Sequence, residues 1–464
     1  MTGGDGAPLE TAAGTAESLS PREARQILEE ALAMSAAEHT EVLLESRNAS
    51  LTRFANNQIH QNVAARDHEL VLRAIVGRRA GQASTNRLDS TALRQVADRA
   101  LALARLSPED PELPEPGAPA EAPSLDAFDP ATAASAPEER AAAVAPLCGD
   151  SAARGLDASG AYEVRAVSLA YANSLGRFAH HSGTYAHFTC TVRTESSSGW
   201  VDRHRRDLRE LDIERLGRIG IEKAERSRDP QGIEPGRYTV VLEPSAVAEL
   251  VGFLVYLGLG AQAEQEGRSF LSGRMGQRIT GERTVLADDP FHPGAMGTPF
   301  DHEGTPRRRV VLIENGIARA VVHDRRTARK AGVESTGHAS PPPATEGPLP
   351  YSLVLGGGDS SVEEMIASTN RGILVTRFWY CRVVDPKQTL ITGMTRDGTF
   401  LIEGGHVSRG LRNLRFNESV LDVLTRADAY GRVAEPTVFD FGHYAVVTPA
   451  LRVPEFRFTG VSPF

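Results

Sequence analysis

Cysteine is scarce, with 3 residues in a chain of 464. That number excludes a disulfide framework and points to a reducing, cytoplasmic setting. A basic surplus is absent too. The 51 Lys and Arg are outnumbered by 60 Asp and Glu, giving a net charge of −9, which argues against a nucleic-acid or acidic-membrane binder. No long hydrophobic run occurs. The most apolar stretch, residues 247–263, is interrupted by Glu249, Gly252, Gly258, Gly260 and Gln262. It is too short and too mixed to cross a bilayer and reads as part of a buried helix. Residues 1–20 carry neither the basic start nor the apolar core of a targeting peptide and read as a disordered tail. The 41% hydrophobic and 24% charged content is that of a globular protein of two or three domains.

Catalytic signatures are missing as well. A helical zinc site needs two His about one turn apart with a Glu beside the first, yet no two of the 13 His are three to five positions apart. His68-Glu69 and His302-Glu303 lack the second His. His180, His181 and His187 fall on one expected hairpin, either as metal ligands or as exposed polar side chains, the commoner case. No Gly-x-Ser-x-Gly elbow occurs. Cys148, Cys190 and Cys381 lack the setting of a catalytic thiol, and Cys381 follows Phe378-Trp379-Tyr380 in what reads as a buried strand. Gly356-Gly357-Gly358-Asp359-Ser360-Ser361 meets neither nucleotide-binding spacing and reads as a loop with a helix cap over 361–369.

What is present is a pattern of helix and strand signals. Ser20-Pro21-Arg22-Glu23 starts a helix with a capping box. Strand signals follow at 41–45, at 51–62 around an Asn56-Asn57 turn, and at 69–76. A helix is expected over 91–106, capped by Asp89 or Ser90. Residues 107–136 are rich in Pro and Ala and read as an extended surface connection, with helix returning over 137–145. Alternation from Tyr162 to Val192 gives antiparallel strands around Asn173-Ser174, and a charged amphipathic helix covers 211–226. Gly232 to Pro235 punctuate the chain and suggest a boundary there. The expected division is therefore a domain over 21–231 and a second over 232–464, in which strand and turn signals dominate after its first helix. The latter opens with a strand at 238–242 and a helix over 245–265. Residues 312–316 (Leu-Ile-Glu-Asn-Gly) echo 401–405 (Leu-Ile-Glu-Gly-Gly), and both end in dipeptides suited to tight hairpins. They are either two ordinary hairpins or equivalent hairpins of a duplicated sheet.

Asp301, His302 and Glu303 stand in a row between Pro and Gly punctuation, and Arg396 lies in a similar loop–strand–turn segment. At these residues the chain resembles the TldD/PmbA family, named as modulators of DNA gyrase and treated as metallopeptidases. Residues 51–63 resemble its N-terminal hairpin. Ser269-Phe270-Leu271-Ser272-Gly273-Arg274-Met275-Gly276 resembles a Ser…Gly-Lys-x-Gly stretch, and Phe300-Asp301-His302-Glu303-Gly304-Thr305 a Phe-Asp-x-Glu-Gly motif. Residues 312–316, Ser335-Thr336-Gly337 and residues 401–405 resemble further signatures in the same order.

The resemblance implies an α+β architecture, an N-terminal mixed α/β-sandwich-like domain followed by a β-rich C-terminal domain with antiparallel sheets, joined in a dimer around an internal cavity. The catalytic TldD branch carries His-Glu-x-x-x-His on its central helix and a Cys near the C-terminus as third zinc ligand. Counted back from Gly267-Arg268-Ser269, that window puts Gly252 and Leu257 where the His would stand and Phe253 where the Glu would stand. No Cys follows Cys381. Gly, Phe and Leu neither bind zinc nor take a proton. The chain is therefore similar to the PmbA/TldE branch, which implies no cofactor here and zinc in a TldD-like catalytic partner. Asp301, His302, Glu303 and Arg396 are the candidates for a substrate-cavity surface that takes extended peptide. Two other functions fit: a stand-alone enzyme with an unrecognised site for a small peptidic or natural-product conjugate, and a homo-oligomeric, non-catalytic peptide-binding module. The acidic balance argues against reading the gyrase name literally.

Overall fold

The computed structural model describes residues 18–439 and 444–462, so residues 1–17 of the expected tail lie outside it. Ser20 caps helix α1 (Pro21–Met34) through the reciprocal bonds expected of it: its hydroxyl accepts from the Glu23 N–H, and Glu23 accepts from the Ser20 N–H. Strands β1 (His39–Ala55) and β2 (Gln58–Val76) follow as one long hairpin turning at Asn56 and Asn57, both at positive φ. The separate short strands expected here are one continuous pair, running from His39↔Ile75 to Ala55↔Gln58. Polar residues such as Arg47, Arg66 and Asp67 interrupt the apolar pattern without interrupting the backbone ladder, because their side chains leave the core. Next come β3 (Arg79–Thr85), α2 (Ser90–Leu106, capped by Asp89), α3 (Pro130–Ala133) and α4 (Pro137–Ala153). The last continues through Pro146, past its expected end. Strands β4 (Asp157–Asn173), β5 (Phe178–Arg193) and β6 (Ser198–Arg205) and helix α5 (Ile213–Arg226) complete this half.

The six strands form one antiparallel sheet in the order β3-β2-β1-β4-β5-β6. Strand alternation decides its two faces. Val42, Leu44, Leu70 and Leu72 pack under α1 and α2. Phe54, Val164, Phe188 and Val192 pack under α4 and α5. Helices α1, α2, α4 and α5 therefore cover one face. The other face presents Leu43, Val71, Leu169 and Tyr171, which pack on Phe300 from the second half of the chain.

That half begins with β7 (Arg237–Leu242) and α6 (Pro244–Gly258), followed by α7 (Ala261–Gln265). The single helix expected over 245–265 is thus two. Gly258 takes a φ of 147°, and a Cβ there would sit 2.2 Å from the Ser269 Oγ, which donates to the Gly258 carbonyl. Gly260 then bridges to Val322 as strand. Strands β8 (Leu286–Asp288), β9 (Val310–Glu314) and β10 (Ile317–Ala318), helix α8 (Arg325–Ala331), strand β11 (Leu353–Leu355) and helix α9 (Val362–Ala367) come next. Strands β12 (Arg371–Asp385), β13 (Leu390–Glu403), β14 (His406–Gly410) and β15 (Leu414–Ser419), helix α10 (Val420–Arg426) and strands β16 (Ala429–Val438) and β17 (Ala445–Val461) end the chain. The two echoed segments are both hairpins of this sheet, turning at Asn315-Gly316 and Gly404-Gly405 with every turn residue at positive φ.

The α+β class holds, with one refinement. The 11-stranded sheet is mixed, because β7 runs parallel to β12 and β11 parallel to β17. Its strands β7, β12, β13, β15 and β17 pair in a closed circuit. Phe378, Phe416 and Phe456 pack together in its core, with Phe378 stacked on Phe456 at 5.7 Å. Helix α6 packs against β12, β16 and β17. No helix among the described residues is long and apolar enough to cross a membrane.

Helix α8 holds the two halves together. Arg325 donates to Glu41 of β1 at 2.5 Å and to Glu303 at 2.9 Å. Glu41 also accepts from Arg73 and from the Tyr171 hydroxyl. The same helix fastens the Pro-rich connection: Arg325 donates to the Glu115 carbonyl, Arg329 to the Leu113 carbonyl, and Arg326 pairs with Asp110. Residues 113–129 thus run without helix or strand but are strapped down, while 130–133 of the expected extended connection form the short helix α3. Removing Arg325 leaves two buried carboxylates without their shared cation. Arg325→Met is expected to cost about 3–5 kcal/mol in urea unfolding, and a loss under about 1 kcal/mol, typical of a surface ion pair, would contradict this.

Candidate functional site

Where the two halves meet, residues 299–307 form a tight turn organised by one carboxylate. Asp301 is fully buried and accepts the backbone N–H groups of Glu303, Thr305 and Ala339 at 2.8–2.9 Å. Burial and the Glu303 charge push its carboxyl up to about 7, against the pull of those donors. Gly304 lies flat on the Tyr171 ring, where a Cβ would sit 2.2 Å from Cδ1, and its carbonyl accepts from Arg177. His302 binds the Ala339 carbonyl through Nδ1, and burial together with the Arg307 charge lowers it to about 4. Burial would raise Glu41, but Arg325 and Arg73 hold it below the ordinary carboxylate range.

Beside this turn lies a cavity of about 490 Å³ between the two halves, walled by Glu41, Tyr171, His302, Glu303, Arg326 and Lys330, among others. Asp301, His302 and Glu303 are therefore brought together, with Asp301 as the buried organiser and the other two on the cavity wall. Arg396 is not part of this group. It lies on β13, 5.6 Å from the Trp379 ring and beside Asp397, in a second junction where Asp397 accepts from Ser198 and Arg377 covers Trp200. Sequence reading missed Glu41, Arg325 and Tyr171. The one available signal was a carboxylate at the start of an otherwise apolar strand, Glu41 before Val42-Leu43-Leu44.

The histidines differ from the expectation of exposed polar side chains. His181 and His204 are buried, and His187 pairs with Asp202 at 2.6 Å. Among the described residues no group of three or more His, Cys, Asp or Glu is placed to hold a metal ion.

Gly252, Phe253 and Leu257 all lie on α6 and are buried. A Cβ at Gly252 would stand 2.5 Å from Cδ2 of Phe439, whose ring meets Phe253 edge-on at 5.3 Å. Tyr444 donates to the Gly252 carbonyl and packs near Tyr256 and Tyr351. An aromatic ring fills the space that an imidazole at Gly252 would need, and the three side chains offer no donor atom. Gly252, Phe253 and Leu257 therefore do not fit a zinc ion.

Burial lowers His181 to about 4, helped by Arg206, and His204 to about 3, helped by His187. Both are neutral in the folded protein at neutral pH, and unfolded histidine has the higher pKa. The stability they contribute is present above about 6.5 and lost as pH falls toward 4 and 3. Asp301 has the opposite sign: its contribution fades as pH rises through about 7. His204→Phe keeps the ring stacked on Tyr185 and removes one acid-sensitive group. The fall in urea midpoint between pH 7 and pH 5 is expected to be smaller in this variant than in the parent, and an unchanged profile would contradict the assignment.

Comparisons with known proteins agree with this architecture. Family sequence models described as the PmbA/TldA metallopeptidase domain 1, central domain and C-terminal domain match residues 40–104, 132–228 and 235–460. A metalloprotease of Methanothermobacter thermautotrophicus is 30% identical over 232 residues, 48% of this chain and 49% of that protein. A metalloprotease TldD homolog of Haemophilus influenzae is 25% identical over 50% of this chain and 49% of its own length. The chain spans about half the length of these curated relatives. The crystal structure of TldE from Thermococcus kodakarensis superposes with a TM-score of 0.86 at 21% identity, over 95% of this chain and 100% of that one. A putative modulator of DNA gyrase from Thermotoga maritima superposes at 0.82 with 19% identity, over 94% and 100%. These two likenesses show the fold. With all three domain models matched in order, the chain belongs to the PmbA/TldD metallopeptidase family.

Proposed function

We propose that this chain is a TldE/PmbA-like subunit of a cytoplasmic metallopeptidase complex, carrying no zinc of its own. A TldD-like partner supplies the metal and the water-activating carboxylate. This subunit supplies part of a cavity that receives unfolded peptides or peptide-like products. One observation carries the reading: α6, where the metal motif of the catalytic branch would lie, is closed by Phe439 against Gly252 and by Phe253 and Leu257 in the core. The fold likeness to a TldE supports it. The chain's own residues act by shape and charge. Asp301 fixes the 299–307 turn, Arg325 joins that turn to β1, and the cavity between them presents polar groups of both signs.

The isolated chain is expected to bind no stoichiometric zinc and to hydrolyse no peptide, whereas mixing with a TldD-like protein is expected to give cleavage above that of the partner alone. Zinc and hydrolysis in the isolated chain would overturn the proposal. Restoring the motif, as Gly252→His, Phe253→Glu and Leu257→His together, is expected to lower stability by more than about 3 kcal/mol through overpacking and a buried charge without gaining zinc. A folded triple variant with one tightly held zinc would contradict the account of α6.

A further inference from the structure

Most buried charges in this protein are matched, as Arg325 and Asp301 illustrate. Arg307 is not. It is 4% exposed, yet no hydrogen bond or ion pair reaches its guanidinium from any described residue, and its Nε is fully buried without a partner. The carboxylates within electrostatic reach are already engaged: Asp301 by three backbone N–H groups, Asp288 by His338 and the Ser352 N–H. Glu45, which faces Tyr185 and His302 across the same junction, is held through both oxygens by Arg47.

A second arginine is also incompletely matched, with the exposed Asp126 carboxylate in electrostatic reach but not hydrogen-bonded to it. Arg206, at the end of β6, spends one terminal nitrogen on the Ala295 carbonyl, while its Nε and other terminal nitrogen are buried without partners. Arg206 and Arg307 both act on the Tyr185 hydroxyl, which is held only by a long 3.5 Å bond to the Met296 carbonyl. The ring of His204 packs on Tyr185 at 5.5 Å, is 2% exposed, and has no partner at either nitrogen. His181, within reach of Arg206, has a buried Nε2 without a partner. Buried polar atoms without partners thus gather where the 295–307 segment meets β5 and β6: guanidinium donors of Arg206 and Arg307, the neutral rings of His181 and His204, and one acceptor, the Oδ1 of Asp202, whose other oxygen pairs with His187. Buried guanidinium groups are stable only when a suitable acceptor completes them. The planar fork of arginine matches a carboxylate best.

We infer that this cluster is a binding site for a carboxylate, gripped by Arg307 and Arg206 with Tyr185 and His204 beside it. The occupant is the C-terminal or side-chain carboxylate of an extended peptide entering the junction of the two halves. The inference deepens the peptidase-subunit reading, because it names a chemical group that the substrate must bring to this chain. Binding is nevertheless a property of the isolated chain and needs neither partner nor metal.

The test is calorimetric titration of the purified chain with four probes: an N-acetylated trialanine with a free C-terminus, its C-terminal amide, the amide with one internal Glu, and inorganic phosphate. One or both carboxylate peptides are expected to bind at least about tenfold more tightly than the plain amide, the value of one charge-assisted hydrogen bond. The free acid against the Glu-containing amide tells which carboxylate is preferred. Arg307→Met and Arg206→Met are each expected to abolish the preference, with thermal unfolding confirming that the variants fold. The acid–amide comparison uses the parent chain, so it stands even if a variant does not fold. Equal binding of acid, Glu peptide and amide, no binding of any peptide, binding of phosphate alone, or a preference that survives Arg307→Met would each overturn the inference. A carboxylate preference in a chain that never assembles with a zinc subunit would overturn only the subunit reading. Cleavage by an assembled complex whose chain shows no carboxylate preference would overturn only this inference.

Discussion

One buried bridge organises the junction of the two halves beside the cavity. Arg325 sits between Glu41 of the N-terminal sheet and Glu303 of the 299–307 turn, and all three side chains are largely removed from water. Charges in such a place are tolerated only when each is matched, so the bridge fixes how the sheet, the turn and α8 meet. The rest follows. Tyr171 is aimed at Glu41, Gly304 can lie on the Tyr171 ring, and the connection over residues 107–136 is drawn onto α8. The cavity beside Glu303 exists because this junction is polar and bridged rather than packed shut.

The second determinant is what α6 does without. In the catalytic branch that this chain resembles, the corresponding helix carries metal ligands. Here it carries Gly252, Phe253 and Leu257, and its environment has closed over them with Phe439, Tyr444 and neighbouring aromatics. Helix α6 is a packing element, with nearly every one of its residues buried.

Local chemistry was legible in the sequence. Ser20-Pro21-Arg22-Glu23 gave away the first helix, and Asn315-Gly316 and Gly404-Gly405 the two hairpins, because each signal and its structure lie within a few residues. The presence of both helices and strands was legible from periodicity, and their α+β arrangement from the family resemblance. Non-local features were not. Glu41 and Arg325 are 284 positions apart, and nothing in either neighbourhood announces the other. The break at Gly258 depends on Ser269 folding back onto it. The closed strand circuit depends on β17 reaching back to β7. Of the four site candidates, the three consecutive residues stayed together because the turn is local. Arg396 was grouped with them by loop character alone, and the sheet carries it to another junction.

The central claim is that this chain completes a peptidase whose metal lies in another subunit. Native mass spectrometry of the chain mixed with a TldD-like partner, in the presence of zinc, tests it most directly. The account predicts a complex containing both chains in which zinc is present once per partner subunit and is lost when the partner's motif histidines are removed. Zinc that stays with this chain when the complex is dissociated, or the absence of any mixed complex, would contradict it.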